Sequence, residues 1–476
     1  MKETLTSGEA MTHLIPGMPD PSPATGHTMR KNWAGNLTYT ARDVIAPRSV
    51  EELQRAFTHT TGPITLLGST HCFNDIANTT GTHILTSRLE PLPENPLTVD
   101  AQSDGTGIVR VPGGATYGAV AQKLAADGWS LSNFASLPHI TIAGAIATGT
   151  HGSGDTNQAL VGAVDGFTLV TPRGDVLHAR RDGTDDLPWE SAVHLGALGA
   201  VVFVDLRVHP AFLVRQDLMT NLSWGALDAQ FDAVTSAAYS VSMFTRWDGE
   251  GVDQVWLKSA VHSARTESGS ADARQAGAAA ASADAPPPGI ELLTALGAMP
   301  ATEKLHPLPH TDPVHCTDQL GVPGAPLDRL PHFKMGFTPS KGEELQSEYL
   351  IPRRHALAAI AAVRELGPRI VPLLFVSEIR TMAPDGAWLS PSGVEPTVGL
   401  HFTWRPMERD VLRFLPDLEA ALAPFDARPH WGKLHRFGRD RLESLYPKIG
   451  EFRVLAAELD PERRLVNRHL AEVVGL

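Results

Sequence analysis

A histidine and a cysteine stand side by side in a turn of small residues, 68–75, which reads GSTHCFND. A short apolar run at 64–67 precedes the turn and is typical of a buried strand. His71 and Cys72 are open to several chemistries: a metal-ligand pair, a redox thiol, a phosphate cradle or a cofactor anchor. The choice between them depends on the other polar clusters of the chain.

A second glycine-rich stretch lies at 144–154 and reads GAIATGTHGSG. Neither stretch fits the GxGxxG turn that opens a helix, so the Rossmann dinucleotide fingerprint is absent from the sequence. Glycine nevertheless lets backbone N–H groups approach a pyrophosphate closely, in a nest of successive amides. Ordinary tight turns explain either stretch alone better, whereas two such stretches in one domain make a phosphate-binding surface about equally reasonable.

Polar side chains also interrupt two apolar runs in the second half of the chain. Glu378 and Arg380 lie two residues apart in the run 370–381, so on a strand both side chains point to the same side. His401 and Thr403 share a face of a later apolar run in the same way. If the two strands pair, the four side chains form one wall, which suits a ligand with several hydroxyls because each hydroxyl both donates and accepts. A half-solvated sheet with a surface ion pair is the alternative.

Other signatures of catalysis are weak or missing in the sequence. Lys433 follows a Trp-Gly turn, where a lysine is usually a solvated charge. The 20 histidines show no HExxH or CxxC partner arrangement, so no metal site is expected. A GxSxG nucleophile elbow and the kinase signatures are also absent.

The elements that must position these residues follow a mixed α/β pattern up to about residue 210. A capping box at 49–52 predicts a helix to about residue 58. Longer strand-like runs follow, and a low-complexity Ala/Ser/Gly/Pro segment at about 263–288 is expected to be an exposed insertion. The run 370–381 predicts a single strand, and 429–476 is predicted to be helical.

Composition excludes several classes of partner. The 476 residues include 40 basic and 53 acidic side chains, and a net charge of −13 disfavours binding to nucleic acid or to an anionic membrane. No apolar run is long enough to span a bilayer. Two cysteines, Cys72 and Cys316, cannot form a disulfide framework, which suits the cytoplasm. Residues 1–30 are polar and rich in Pro, Gly, Ser and Thr, unlike a secretory signal, and are expected to form a disordered or extended tail.

Seven short motifs, spread in order from residue 32 to the C-terminal region, resemble those of one enzyme family. They read NWAGN (32–36), GSTHCFN (68–74), ASLPH (135–139), ATGTHGSG (147–154), QSEYL (346–350), EIRT (378–381) and HWGK (430–433). Together they resemble the alditol oxidases, which are vanillyl-alcohol-oxidase-type flavoproteins of the branch that also holds the aldonolactone oxidases.

The resemblance implies an α+β fold of two domains and an FAD cofactor. The FAD-binding domain would span 31–210, completed by about 430–476, and a substrate-binding cap domain would span 211–429. His71 would be joined covalently through a ring nitrogen to the flavin 8α-methyl carbon, since a neutral imidazole is a good nucleophile near pH 7. The residues implied to bind the cofactor are Gly68, Ser69, Thr70, His71, Cys72, Asn74, Ala135, Ser136, Gly144, Thr148, Gly149, His151, Gly152 and Ser153.

The same resemblance implies oxidation of the terminal primary alcohol of an acyclic polyol, with O2 reoxidising the flavin to give hydrogen peroxide. Glu378, Arg380 and Lys433 would be the catalytic residues and hold the first hydroxyls. The rest of the pocket would be lined by Ser136, Gln346, His401 and Thr403. A monomer is expected. The alternatives are an oxidase or dehydrogenase acting on an aldonolactone or another sugar alcohol, and a non-catalytic flavin- or sugar-binding protein.

Two residues depart from the family pattern, in which the loop reads Gly-Ser-Gly-His-Ser. Thr70 replaces the second glycine, and it would be strained by about 1 kcal/mol or more if its φ must be positive. Cys72 replaces the serine. An isostere of serine is the preferred interpretation, with an oxidisable thiol or a second contact to the flavin as alternatives.

Overall fold

The computed structural model describes residues 30–183, 185–261, 287–337 and 344–476. The predicted tail at 1–30 lies outside the described residues except for Arg30, and the predicted insertion at 263–288 does so except for Pro287 and Pro288. Within the described part, no helix is long and apolar enough to cross a membrane.

The first sheet is parallel and carries the loop that contains His71. Its three strands have the order β1-β3-β2. They and the adjoining helix are β1 (Asp43–Ile45), α1 (Val50–His59), β2 (Ile64–Leu67) and β3 (Thr82–Leu85). The predicted helix start is confirmed, because the Ser49 side chain accepts from the backbone N–H of Glu52. Helix α1 buries Leu53 and Phe57 against this sheet.

The second sheet is largely antiparallel, and the part of the chain that forms it includes the glycine-rich stretch 144–154. Its order is β10-β9-β8-β11-β5-β4, with β6 also paired to β11, and only β9 and β10 run parallel. The elements are β4 (Val99–Ala101), β5 (Gly107–Pro112), α2 (Tyr117–Ala126), β6 (Trp129–Ser130), α3 (Ile142–Ala147), β8 (Val164–Val170), β9 (Val176–Arg180), β10 (Leu187–Pro188) and β11 (Ala200–Pro210).

The third sheet brings together most of the polar residues singled out in the second half of the chain. Its order is β15-β12-β14-β13-β17-β18-β16-β19, and β7 pairs in parallel with β17. Its strands are β7 (Gly154–Gln158), β12 (Leu213–Ser223), β13 (Ser240–Thr245), β14 (Gly251–Val261), β15 (Met299–Pro300), β16 (Leu345–Pro352), β17 (Leu374–Ala383), β18 (Thr397–Trp404) and β19 (Arg428–Pro429). The remaining helices are α4 (Trp224–Thr235), α5 (Pro288–Ala295), α6 (Ala356–Glu365), α7 (Gly367–Ile370), α8 (Glu408–Leu422), α9 (Arg439–Leu445) and α10 (Ile449–Leu459).

The register of the third sheet confirms the predicted pairing of the two apolar strands. On β17 and β18, which are antiparallel, Glu378 lies opposite His401. On the other side of β18, strand β16 places Glu348 opposite His401 and Gln346 opposite Thr403. The predicted domain boundary near residue 211 remains a prediction, and the strands on either side of it, β11 and β12, belong to different sheets.

Three local predictions are wrong in part. The run 370–381 is not one strand, because Ile370 ends the short helix α7 and β17 begins only at Leu374; Pro368 sits in the first turn of α7, where its fixed φ suits a helix. The segment 429–476 is not helical throughout, because Pro429 ends strand β19 and the first helix of the segment begins at Arg439. Gly144 lies inside helix α3 rather than in a loop.

Candidate active site

One cavity of about 470 Å³ joins the His71 loop to the polar wall of the third sheet. Most residues proposed for the site line it: Gly68, Ser69, Thr70, His71, Cys72, Ala135, Ser136, Gly144, Thr148, His151, Gln346, Glu378, Arg380, His401, Thr403 and Lys433. Asn74, Gly149, Gly152 and Ser153 do not line it. The cavity therefore brings together two groups of residues, 68–151 and 346–433, that are separated by about 200 positions in the sequence.

The residues that do not line the cavity support its walls from behind. Gly149 has φ +67°, a left-handed conformation that favours glycine. A Cβ on Gly152 would lie 2.2 Å from the side-chain oxygen of Asn133, so only glycine fits there. The Ser153 hydroxyl donates to the carbonyl oxygen of Val241 on β13, which ties the glycine-rich stretch to the third sheet.

Asn74 connects the two ends of the chain at the site. Its side-chain amide donates to the carbonyl oxygens of Trp431 and Lys433, at 2.8 Å each. The backbone N–H of Phe73 donates to the carbonyl of Gly432 at 2.7 Å. The His71 loop and the Lys433 loop thus form one hydrogen-bonded unit.

The ring nitrogens of His71 are buried, and the imidazole is in the neutral form that suits a nucleophile. Its ring stacks on Trp33 with centroids 5.0 Å apart. Burial, reinforced by the nearby His139, lowers the pKa of His71 to about 3, so the ring is neutral at pH 7. The Ser69 backbone partly offsets this fall in pKa, yet neither ring nitrogen reaches hydrogen-bond geometry with any described residue.

The two departures from the family loop have different consequences. Thr70 has φ 60°, so it occupies the strained left-handed region. Burial raises the pKa of the Cys72 thiol to about 12, which keeps it protonated and unreactive. The sulfur faces Gly432, where an added Cβ would lie 3.2 Å from it. These observations favour Cys72 as a packing residue.

Close approach of backbone shapes the first turn of the loop. A Cβ on Gly68 would lie 2.4 Å from the Thr141 hydroxyl oxygen. The backbone N–H of Thr141, which precedes α3, donates to the Ser69 hydroxyl at 3.2 Å. Glycine at position 68 therefore allows the His71 loop to lie directly against the start of α3.

Glu348 on β16 is the centre of a buried charge network. Arg380 Nη2 lies 2.7 Å from one carboxylate oxygen, and Lys433 Nζ lies 2.5 Å from the other. His151 Nε2 and His401 Nδ1 approach it at 3.2 and 3.5 Å. Burial raises the pKa of Glu348, but Lys433 and Arg380 more than offset that effect and hold the pKa well below its usual range. Glu348 is therefore a fixed anion that orients two cations.

Glu378 on β17 belongs to a second, connected network. One carboxylate oxygen lies 2.8 Å from His332 Nε2, and the other lies 3.5 Å from Arg380 Nε. Burial opposes ionisation of Glu378, yet Arg380 and His332 keep its pKa below the usual value. His332 in turn contacts the buried Lys258, and burial lowers the pKa of Lys258 to about 7.

His401 and Thr403 complete the wall. His401 Nε2 lies 3.2 Å from the Thr403 hydroxyl, and its Nδ1 lies 2.9 Å from Lys433 Nζ. Burial, followed by the charge of Lys433, lowers the pKa of His401 to about 4, so this imidazole is neutral. Gln346, the neighbour of Thr403 on β16, donates instead to Glu344 at 2.7 Å.

Models of two known families match the chain. Residues 41–180 match the FAD binding domain, and residues 338–473 match D-arabinono-1,4-lactone oxidase. An alditol oxidase from a Streptomyces species is 42% identical over 93% of this chain and 98% of its own length. The chain belongs to the alditol oxidase family.

More distant relatives agree with this assignment. The L-gulono-1,4-lactone dehydrogenase of Mycobacterium tuberculosis is 27% identical over 93% of this chain and 98% of that protein. The crystal structure of cholesterol oxidase from B. sterolicum superposes with a TM-score of 0.67 at 15% identity, covering 93% of this chain and 96% of that chain. That likeness shows the fold alone: a vanillyl-alcohol-oxidase-type fold, as the sequence predicts.

This member of the alditol oxidase family is an FAD-dependent oxidoreductase, and its own residues fit the cofactor. The His71 ring nitrogens are buried in the cavity wall without partners, and buried polar atoms normally have partners. Gly68 lines the cavity in a turn where no larger residue fits, so its backbone can approach a phosphate closely.

Sequence reasoning missed Glu348, His332 and Lys258. A signal existed for Glu348, because it lies two residues after Gln346 on a strand and therefore shares its face. Lys258 interrupts the apolar run of β14 in the same way as Arg380 interrupts β17. His332 lies outside any strand or helix and gives no comparable signal.

Proposed function

We propose that the protein oxidises the terminal primary alcohol of an acyclic polyol, such as xylitol or sorbitol, to the aldose. Molecular oxygen would be the electron acceptor, with hydrogen peroxide as its product. The supporting observation is the buried network of Glu348, Glu378, Arg380 and Lys433, whose charged groups share one cavity with His71.

The network leaves donors and acceptors for hydroxyl groups. An ammonium has three donors, and Lys433 uses one toward Glu348 and one toward His401. Arg380 gives Nη2 to Glu348, while its buried Nε makes no hydrogen bond with any described residue. Glu378 keeps free acceptor capacity. A polyol hydroxyl would donate to Glu378 while it accepts from Arg380 or Lys433.

The same groups favour loss of the hydroxyl proton. Arg380 and Lys433 are cations in a closed site, so they stabilise negative charge that develops on the substrate oxygen. When bound, FAD supplies the two-electron acceptor for the hydrogen of the adjacent C–H bond. Ser136, Gln346, His401 and Thr403 line the remainder of the cavity and would position the rest of the polyol chain.

We propose that His71 is the covalent attachment point of FAD. A neutral imidazole with a free nitrogen lone pair is the nucleophilic form, and the low pKa of His71 keeps it in that form. Stacking on Trp33 restricts the orientation of the ring, and His71 lines the cavity.

An aldonolactone is the second candidate substrate. The match of 338–473 to D-arabinono-1,4-lactone oxidase and the relative from M. tuberculosis favour it. A lactone is cyclic and has fewer hydroxyl groups than an acyclic polyol. It would therefore accept fewer hydrogen bonds from Arg380 and Lys433.

Anaerobic mixing tests these proposals together. The purified holoprotein is mixed with xylitol, sorbitol, glycerol and an aldonolactone while the flavin absorbance is followed, and air is then admitted. Bleaching by polyols followed by recovery with peroxide supports the proposal. Bleaching only by the lactone supports the second candidate, and recovery failing in air indicates a dehydrogenase. No bleaching by any compound would leave a non-catalytic binding protein.

Acid precipitation tests the flavin linkage. The pellet of the unaltered protein should stay yellow, and the pellet of His71→Ala should be colourless. The control is His139→Ala, which removes the buried ring 5.5 Å from His71 and should keep a yellow pellet. A colourless pellet from the unaltered protein would refute the linkage.

We also propose a two-domain monomer that works in the cytoplasm, with a division near residue 211. Both cysteines are free, which suits a reducing compartment. Light scattering at working concentration should give a mass near 51.0 kDa, and limited proteolysis should release a fragment that begins near 211. A dimer mass or a uniform digestion pattern would count against these points.

A further inference from the structure

Behind Glu378 lies a buried chain of hydrogen bonds that begins at a lysine. Lys258 on β14 is 1% exposed. Its Nζ lies 2.5 Å from the carbonyl oxygen of Leu330 and 3.1 Å from His332 Nδ1. His332 Nε2 then lies 2.8 Å from Glu378 Oε1. The hydrogen-bonded connection from Lys258 to Glu378 runs through His332, and the Lys258 charge also acts on Glu378 and Arg380 through space.

The direction of these hydrogen bonds follows from the chemistry at both ends. Glu378 is ionised, because its pKa is held below the usual value, so it only accepts. His332 is neutral, because burial lowers its pKa to about 4, and it carries a single ring proton. That proton must be on Nε2 to reach Glu378, which leaves Nδ1 as an acceptor for Lys258.

Lys258 satisfies this requirement in either protonation state. An ammonium has three N–H donors and a neutral amine has two. One donor goes to Leu330 and another to His332 Nδ1. The chain Lys258–His332–Glu378 therefore keeps one direction on both sides of neutral pH.

Packing alone does not explain a lysine at this position. Among the described residues, no carboxylate forms a salt bridge with Nζ, and the ring of Trp256 lies 5.8 Å away. Burying an amine without an ion partner is costly, and an apolar side chain of similar length would pack at lower cost. A lysine at this position is explained if its hydrogen bond to His332 has a role in the active site.

We propose that Lys258 is a positioning residue of the active site. By donating to Nδ1 of His332, it fixes the imidazole tautomer whose Nε2–H holds Glu378 as an oriented acceptor for a substrate hydroxyl. The inference rests on the proposed role of Glu378 in polyol binding. Without Lys258, Glu378 alone would favour the Nε2–H tautomer, and any His332 with its proton on Nδ1 would turn the Nε2 lone pair toward the carboxylate.

The kinetic test uses Lys258→Met, Glu378→Gln and the double variant with the polyol that the unaltered enzyme oxidises. Lys258→Met should raise KM about tenfold, the size of one hydrogen bond to a charged group, and change kcat less than about threefold. In the double variant, KM should be no higher than in Glu378→Gln alone, because both changes act on the same contact. Lys448→Met removes an exposed lysine that pairs with Glu451; it is the matched control and should leave KM unchanged. An unchanged KM in Lys258→Met, or effects that multiply in the double variant, would overturn the proposal.

A substrate-free measurement separates this inference from the proposed function. In holoprotein labelled with [15N]histidine, the His332 signals, assigned by their loss in His332→Gln, should show the Nε2–H tautomer. Lys258→Met should show a mixture of tautomers. An Nδ1–H tautomer in the unaltered protein, or an unchanged tautomer in Lys258→Met, refutes the positioning role. If Lys258→Met does not fold, the tautomer of the unaltered protein decides alone, and this readout holds even if no polyol is oxidised.

Discussion

The two ends of the cavity differ in how their buried polar groups are paired. At the cofactor end, His71, its neighbour His139 and His194 are neutral rings with lowered pKa values, and each has at least one ring nitrogen without a hydrogen-bond partner among the described residues. At the other end, Glu348 and Glu378 are ionised and paired with cations. Unpaired neutral groups indicate a surface completed by a ligand, whereas a paired network is already rigid before the ligand arrives.

The difference has an energetic meaning. An unpaired buried polar group costs about 1–3 kcal/mol, and bound FAD would recover part of that cost. In the ion network, attraction between the paired charges offsets the free-energy cost of desolvating them. The geometry of the network therefore does not depend on the cofactor. Substitutions in the network should therefore change the stability of the FAD-free and the FAD-loaded protein alike. Substitutions at the cofactor end should change mainly the stability of the FAD-loaded protein.

Glu348→Gln should have the largest effect. It leaves Arg380 and Lys433 buried without their central anion, which should lower the free energy of unfolding by about 3 kcal/mol and abolish turnover. Denaturant unfolding of FAD-free and FAD-loaded protein measures it, with the exposed Glu365→Gln as the control. A similar loss in both forms is expected. A loss confined to the loaded form would contradict the comparison.

Arg380→Lys should have the second-largest effect, a loss of activity. A lysine cannot reproduce the planar group that reaches both Glu348 and Glu378, so kcat/KM for the polyol should fall by about 10²–10³-fold. Peroxide production measures the effect. Arg354→Lys is the matched control, because its ion pairs are exposed, and it should retain activity within about twofold. Near-normal activity of Arg380→Lys would show that only the charge at this position matters.

His194 gives a pH-dependent test of the neutral end. Burial lowers its pKa to about 4, so the stability that it contributes is full above the unfolded pKa of about 6.5 and is lost as pH falls toward the folded value. His194→Asn keeps an acceptor for the Gly196 N–H, which His194 Nδ1 accepts at 3.1 Å. Between pH 7 and pH 5.5 this variant should lose about 1 kcal/mol less unfolding free energy than the original protein.

Chemical denaturation at the two pH values measures the difference. If the free energy of unfolding fell equally between pH 7 and pH 5.5 in His194→Asn and in the original protein, His194 would not be held neutral by burial.

Thr70→Gly should have the smallest effect, and a favourable one. Relief of the positive φ should gain about 1–2 kcal/mol, and the extra freedom of glycine in the unfolded chain offsets about half of it. Thr60→Gly is the control, because Thr60 has φ −82° and gains no relief, so it should be destabilised. Unfolding midpoints of both variants measure the contrast, and equal destabilisation would show that Thr70 is unstrained.

Local patterns in the sequence predicted the part of the site that lies on neighbouring strands. A period of two placed Glu378 with Arg380 and His401 with Thr403, and the pairing of β17 with β18 confirms this arrangement. His71 and Lys433 were noticed in the sequence itself, but their roles came only from a family resemblance; the structure places both on the cavity, and the roles remain proposals.

The remainder depended on long-range register, which one sequence does not reveal. Lys258 and His332 are 74 residues apart and meet only through folding of the third sheet. The boundary error at Ile370 has a local cause, because a short apolar run fits a helix and a strand equally well.

The hydrogen bonds from Asn74 to Trp431 and Lys433 also set the order of events in biosynthesis. The partners are separated by 357 and 359 residues, so at about 5–20 residues per second the ribosome makes the second partner tens of seconds after the first. The nascent chain must hold the His71 loop without its final contacts during that interval. The proposed active site is therefore among the last parts of the molecule to assemble. A chain that ends before residue 431 would lack the partners of Asn74, and also Arg464 and Leu465, which bond to and pack against the first sheet.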